Sequence, residues 1–335
     1  MKLSKILFLV GIILFIFVVI LSAQAPDTLW TRTYGGADDE AGYSIQKTFD
    51  GGFIIIGGTR TNWMEDWDFY LQKTDENGDS LWAKSYGGNN WDMGYSVAET
   101  SDSGYLLLGE TESFGAGEGD VYVIRADKNG DTLWTKTFGG AYYDKGHSIR
   151  QTIDNNYIIV GSSVSFGPGG WDIYLLKLNN NGDTLWTRTF GGSSSDFGWD
   201  VQETLDSGYV IVGSTGSFSV GEIDVYIIKT NVDGNIEWAR AYGGLFGDEG
   251  WSVQQTLDGG YIVVGKTNSF TSGDFDAYLL RLNNQGDTLW TRTYCGQADD
   301  GAKSVQKTLD GRFIIAGTTE SILPHRNFLL LKVDT

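Results

Sequence analysis

The amino-acid sequence predicts an all-β fold, a six-bladed β-propeller of four-stranded antiparallel blades. Three observations lead there. Tryptophan recurs at Trp30, Trp82, Trp134, Trp186, Trp238 and Trp290, always 52 residues apart. Each unit carries four strand-like segments, the number that makes one blade. The chain opens on a lone strand, residues 27–34, and closes on a unit that lacks one, so the first strand is expected to complete the last blade.

Residues 42–86 illustrate the unit. Tyr43–Thr48 alternates apolar and polar residues, whereas Phe53–Ile56 is a continuous apolar run suited to a strand covered on both faces. Phe69–Lys73 and Ser80–Tyr86 supply the third and fourth strands. Asp50-Gly51-Gly52 and Glu76-Asn77-Gly78 are hairpin chemistry, because Asn and Gly tolerate positive φ. A longer loop joins the second and third strands, and a Gly-Gly loop leads to the next unit. A β-helix would need shorter coils without hairpins, and sandwich domains longer units of about seven strands.

Glycine (47 residues) and aromatics (12 Trp, 17 Tyr, 17 Phe) suit short strands and tight turns. Net charge is −19, and −21 once Lys2 and Lys5 leave with the leader, which argues against nucleic acid as a partner. Lys2 and Lys5 precede an apolar run from Ile6 to Leu21 and then Ser22-Ala23-Gln24-Ala25, an export signal over residues 1–25. An uncleaved N-terminal anchor is the alternative, and either way the propeller (26–335) is expected outside the cytoplasm: secreted, periplasmic or on the cell surface. Cys295 is the only cysteine, so no intrachain disulfide can form. A monomer is expected.

Several positions recur in every unit. The Trp and the aromatic four residues later (Tyr34, Tyr86, Phe138, Phe190, Tyr242, Tyr294) are expected to wedge between blades. Gly57, Gly109, Gly161, Gly213, Gly265 and Gly317 suggest a bulge or close backbone approach. Arg32, Lys84, Lys136, Arg188, Arg240 and Arg292 put a charge on each outer strand, a guard against edge pairing. Glu40, Asp92, Asp144, Asp196, Asp248 and Asp300, two or three residues before each inner strand, form an acidic ring at the channel mouth. These carboxylates either shape their loops through backbone N–H groups, the favoured reading, or together hold a cation. No cofactor is expected. Calcium is the minor alternative, at turns such as Asp75–Asp79 and Asp127–Asp131, although hairpin chemistry explains them.

A ligand is expected on the face where the long loops emerge, where the copies differ. Trp91, Tyr142, Tyr143 and Phe246 in the Gly-Gly loops, Phe197 directly after the acid of its own unit, and Trp63, Met64 and Trp67 of unit one give an uneven aromatic set. Other units carry a Ser-Phe pair such as Ser113-Phe114 in the second loop. Catalysis is not expected. Only His147 and His325 are available, His147 at a repeat position otherwise read as Tyr, Trp or Ala, and no Ser-His-Asp order, metal site or nucleotide fingerprint stands out.

The whole unit reads Gly-Gly-x3-Asp-x-Gly-x-Ser, Asp-Gly-Gly-Tyr-Ile, Asp-x-Tyr-Leu-x-Lys, Asn-Gly-Asp-Thr-Leu-Trp. It resembles the repeats of bacterial secreted and surface β-propellers, the SBBP-type group, over residues 27–335. More distantly, the Gly-x3-Trp hairpin (Gly78 to Trp82) is similar to that of quinoprotein propellers. The resemblance implies a propeller and an extracytoplasmic place but no shared activity. The function expected is a binding or scaffold module for a glycan or protein partner. The alternatives are a carbohydrate-active enzyme with carboxylates at the channel mouth, or a structural envelope protein.

Overall fold

The computed structural model describes residues 29–36, 39–60, 66–271, 274–294, 296, 298–321 and 326–334. The leader, Trp63, Met64, Cys295 and His325 lie outside them. Residues 32–335 form one compact unit, and of residues 1–31 only 29–31 are described, without a strand.

Among the described residues there are 23 strands and no helix. They form six antiparallel meander sheets, five of four strands and one of three. Blade one comprises Asp39–Lys47, Phe53–Arg60, Asp68–Thr74 and Ser80–Tyr86, running from the channel outward. In blades two and three the second and third strands are buried on both faces around central apolar runs such as Leu106–Leu108 and Ile158–Val160. Turn chemistry is as expected: Gly51 and Gly78 have φ of +91° and +75°, and Ser103, Asn155 and Ser207 take positive φ at the place of Gly51.

In blades one to five a buried cation on the third strand ties it to the first turn of its own blade. Lys73 pairs with Asp50 at 2.9 Å, Arg125 with Asp102 at 2.6 Å and Arg281 with Asp258 at 2.6 Å. The Thr48 hydroxyl first, then Lys73, hold the Asp50 carboxyl down to about 2.

Blades join through repeated contacts. Trp82 meets Tyr105 of the next blade at 5.8 Å between ring centroids, and Trp238 meets Tyr261 at 5.9 Å, the wedge foreseen for this tryptophan. The Tyr86 hydroxyl donates to the Gly130 carbonyl at 2.6 Å. The outer-strand cations turn sideways rather than standing guard over an edge. Lys84 reaches Asp131 at 2.7 Å and Arg240 reaches Asp287 at 2.6 Å, each in the neighbouring blade's turn. Arg188 finds Asn235 where other turns carry aspartate, and donates instead to the Asp233 carbonyl at 2.8 Å.

Five apolar clusters fill the five interfaces from blade one through blade six. Between blade six and blade one the matching surfaces are uncovered. Ile45 is 60% exposed, where its equivalents Val97, Ile149, Val201, Val253 and Val305 are buried. Phe328 is 97% exposed, where Val225 and Ala277 are fully buried. The last sheet has three strands, Asp300–Lys307, Phe313–Thr319 and Asn327–Val333, and residues 29–36 form no strand beside it. The expected fourth strand is therefore absent among the described residues. Its C-terminal half nevertheless behaves like an outer strand toward blade one: Arg32 pairs with Asp79 at 2.9 Å and Tyr34 donates to the Gly78 carbonyl at 2.6 Å.

Each second-strand glycine lies under the inner strand, and a Cβ on Gly161 would collide with the Lys145 carbonyl. Gly161→Ala is expected to cost about 1–3 kcal/mol in urea unfolding. Gly36→Ala, where a Cβ would meet only the Glu40 carboxylate at 3.8 Å, is expected to stay within about 0.5 kcal/mol.

Candidate functional site

Every inner strand carries a β-bulge at the same place. Register shifts fall between Gly42 and Ser44, Gly94 and Ser96, Gly198 and Asp200, Gly250 and Ser252, and Ala302 and Ser304, and blade three shifts opposite Val160 and Gly161. A bulge leaves one residue unpaired and re-aims its side chain. The residue released is Tyr43, Tyr95, His147, Trp199, Trp251 or Lys303, and all six line one cavity of about 740 Å³ in the central channel. The sixth member of the His147 column is thus Lys303, not an alanine; Ala302 stands at the glycine position before it. The close approach suggested for Gly57 and its copies is this same bulge, because a Cβ there would strike the carbonyl of Ala41 or its equivalents.

One side of the cavity is a run of aromatic contacts. Tyr43 and Tyr95 meet edge to face at 5.4 Å, and Tyr95 meets His147 at 6.4 Å. His147 stacks on Trp199 at 4.5 Å, Trp199 on Phe197 at 5.9 Å, and Phe197 lies 6.0 Å from Trp171. His147 shares its Nδ1 with the Gly198 carbonyl at 3.0 Å, which fixes Nδ1 as the donor, and burial holds its imidazole down at about 4, so the ring is neutral near pH 7. The other side is cationic. Lys303 sits 3.1 Å and Lys266 5.5 Å over the Trp251 ring. Lys266 pairs with Glu249 at 3.0 Å and Lys145 with Glu110 at 2.8 Å. Burial lowers Lys303 to about 8, Glu249 opposes the shift, and Lys266 and Arg326 add to it.

One residue further along, a second ring lines the channel: Ser44, Ser96, Ser148, Asp200, Ser252 and Ser304. Asp200 is buried and accepts from Ser148 at 2.9 Å, Ser252 at 3.0 Å and Arg150 at 3.0 Å, joining blades three, four and five.

The acidic positions lie elsewhere than expected. Asp92, Asp144, Asp196, Asp248 and Asp300 are the first residues of the inner strands, not loop residues before them. All five are buried, while Glu40 keeps partial exposure. Asp92 Oδ2 accepts from the Gly88 N–H at 2.8 Å and the Ser113 hydroxyl at 2.7 Å. Asp144, Asp196 and Asp248 accept from Gly140, Gly192 and Gly244, and Glu40 from Gly36 at 3.0 Å. A second carboxylate from the preceding blade crowds each of them: Asp68 with Asp92 at Gly87, Asp120 with Asp144 at Gly139, Asp172 with Asp196 at Gly191, Asp224 with Asp248 at Gly243. Only glycine leaves room for both. Burial first, and the neighbouring carboxylate with it, raise Asp120, Asp172 and Asp224, and lift Asp276 beside Asp300 to about 6. The turn residues Asp75 and Asp127 accept backbone N–H groups of their own turns at 2.8–2.9 Å. Among the described residues no group of three His, Cys, Asp or Glu side chains converges.

The aromatic set is dispersed. Trp67 and Trp91 meet at 6.1 Å, with Arg60 5.2 Å over Trp67. Phe197 joins the channel stack. Tyr142, Tyr143 and Phe246 stand exposed on their loops, and Trp63 is outside the described residues. Phe114, Phe166, Phe218 and Phe270 each lean on a third-strand tyrosine at 5.4–5.6 Å. Sequence reasoning missed the bulge column, Trp171, Lys145 and Lys266. The column has a visible signal, a 52-residue period at the residue after each inner-strand Gly (Ala302 in the sixth copy), occupied by large or cationic side chains.

No family model matches the chain. It is 27% identical over 296 residues to the regulatory protein FlaEY of Caulobacter vibrioides, a match covering 70% of this chain and 30% of that protein. Among solved structures it is similar to a protein of unknown function from Dyadobacter fermentans (TM-score 0.56, 11% identity, 88% of this chain and 95% of that one). It is also similar to Sqt1 from Chaetomium thermophilum (TM-score 0.52, 12% identity, 84% and 67%). These structural likenesses establish the propeller fold and nothing finer.

The raised Asp276 makes a pH prediction. Its protonated form is favoured by folding, so the stability it lends is complete below its ordinary range near 3.8 and is lost as pH rises through about 6. Asp276→Asn removes that loss. The variant is expected to gain on the parent protein in urea midpoint between pH 4 and pH 7.5; a constant difference across that window would contradict the assignment.

Proposed function

We propose that this chain is a binding module that takes a glycan or protein segment at the long-loop mouth of its central channel, and that it works outside the cytoplasm. The first part rests on one observation: six bulges direct Tyr43, Tyr95, His147, Trp199, Trp251 and Lys303 into one cavity. A bulge residue packs into no sheet, so large apolar rings there bury their surface only against one another or against a ligand. The cavity volume, about 740 Å³, falls in the range of small-molecule and oligosaccharide sites. Location rests on the leader pattern of residues 2–25.

Binding is favoured over catalysis by the engagement of the neighbouring carboxylates. Glu110 accepts from Tyr95 at 2.7 Å and pairs with Lys145; Glu249 accepts from Trp251 at 3.1 Å and pairs with Lys266. Of the acids that open the inner strands, Asp92, Asp144, Asp196 and Asp248 each accept a loop N–H group through Oδ2. The chain spans about a third of the regulatory protein it matches, and a binding module would serve such a role within a longer chain.

A glycan array and a pull-down from cell-surface extract, both with the purified protein, test this reading. Trp199→Ala with Trp251→Ala is expected to weaken the captured ligand about tenfold or more. The loop triple Trp91→Ala, Tyr142→Ala, Tyr143→Ala is expected to cost less. If only the loop triple loses binding, the site belongs on the loop tips and not in the channel.

A further inference from the structure

We propose that the channel ligand is a carboxylated saccharide, its carboxylate held by Lys303 and Lys266 and its ring carbons laid against the aromatic side of the cavity. The inference rests on the channel being the binding site. It adds the charge and chemical class of what enters.

The charge argument starts from contrast. The protein carries a net charge of −19, with 43 acids to 24 lysines and arginines. The charged side chains lining this cavity are Lys145, Lys266, Lys303 and Glu249, three cations to one acid, so its sign is opposite to that of the molecule. Lys145 and Lys266 each have a carboxylate partner. Lys303 makes no ion pair among the described residues; its ammonium rests 3.1 Å over Trp251, a ring it shares with Lys266. Two ammonium groups over one ring repel each other, and removal from water adds to the cost of charging Lys303. An anion bound at Lys303 relieves both. The acidic surface outside repels anions in general, so only a ligand whose uncharged part also gains by entering will accumulate there.

The aromatic side supplies that gain. Trp171, Phe197, Trp199, Trp251, Tyr43 and Tyr95 line the same cavity. A pyranose presents C–H groups on its faces and hydroxyls at its edges. Its faces suit indole and phenol rings, and its hydroxyls suit the glutamates and the serine ring below. Inorganic phosphate or a bare carboxylate would use the lysines but leave the rings wet. A neutral sugar would use the rings but leave Lys303 unmatched.

The test is titration calorimetry of the full chain with matched pairs of oligosaccharides: uronic-acid oligomers of several linkages and their carboxyl-reduced neutral forms. The acidic member of at least one pair is expected to bind about tenfold tighter at low salt, with that advantage shrinking at 0.5 M NaCl. Lys303→Gln is expected to erase the preference and leave residual binding of both members, and Lys303→Arg to retain it. Circular dichroism reports that each variant is folded. Equal affinity within every pair, lost in the Trp199→Ala, Trp251→Ala variant, overturns the charge assignment and leaves the channel reading intact. Binding by no pair, or binding insensitive to both tryptophans, overturns the saccharide and counts against the channel itself.

Discussion

A four-stranded sheet whose second and third strands are apolar on both faces must be covered twice, and no blade of this protein can cover itself. Val225 and Ile227 of blade four reach blade five, whereas Tyr226 and Ile228 reach back to blade three. Each interface buries about ten large side chains, and each is worth roughly 1.5–3 kcal/mol on burial. Packing of that size, set against chain entropy, makes the blades interdependent. The polar contacts follow the same direction around the ring. Tryptophan, tyrosine and cation of one outer strand all address the hairpin of the next blade, so registry between blades is fixed by geometry as well as by apolar area.

The same dependence gives the sixth interface its character. Ile45 on one side and Phe328 and Leu330 on the other are the counterparts of residues buried everywhere else. Closing it demands contact between the two extremes of the chain, the largest loop-closure entropy the fold has to overcome. Arg32 and Tyr34 already hold the start of the unit on blade one. Among the described residues, what blade six lacks is a strand beside Asn327–Val333.

Architecture was legible because the period, the hairpin residues and the apolar runs agree with one another. The wedge role of the tryptophans and the close approach at Gly57 and its copies were also legible. The beginning of each inner strand was not. A bulge interrupts two-residue alternation, so the pattern Tyr43–Thr48 starts at the bulge residue, and the four strand residues before it read as loop. That single misreading moved the acids off the strands and hid the channel column. Loop residues differ most freely between units, whereas Phe197, Trp199 and Lys303 differ on a strand. The paired carboxylates were invisible because Asp68 and Asp92 are distant in sequence and meet only across a blade junction at Gly87.

The bulge separates two tasks that most folds assign to the same side chains. At positions 43, 95, 147, 199, 251 and 303 the backbone is held by the flanking pairs and by the glycine beneath, and the side chain takes no part in the ladder of its own sheet. Tyrosine, histidine, tryptophan and lysine are all accommodated on one frame. Six sites that can be exchanged one at a time form an addressable set, and a new lining can be written into it without redesigning the scaffold.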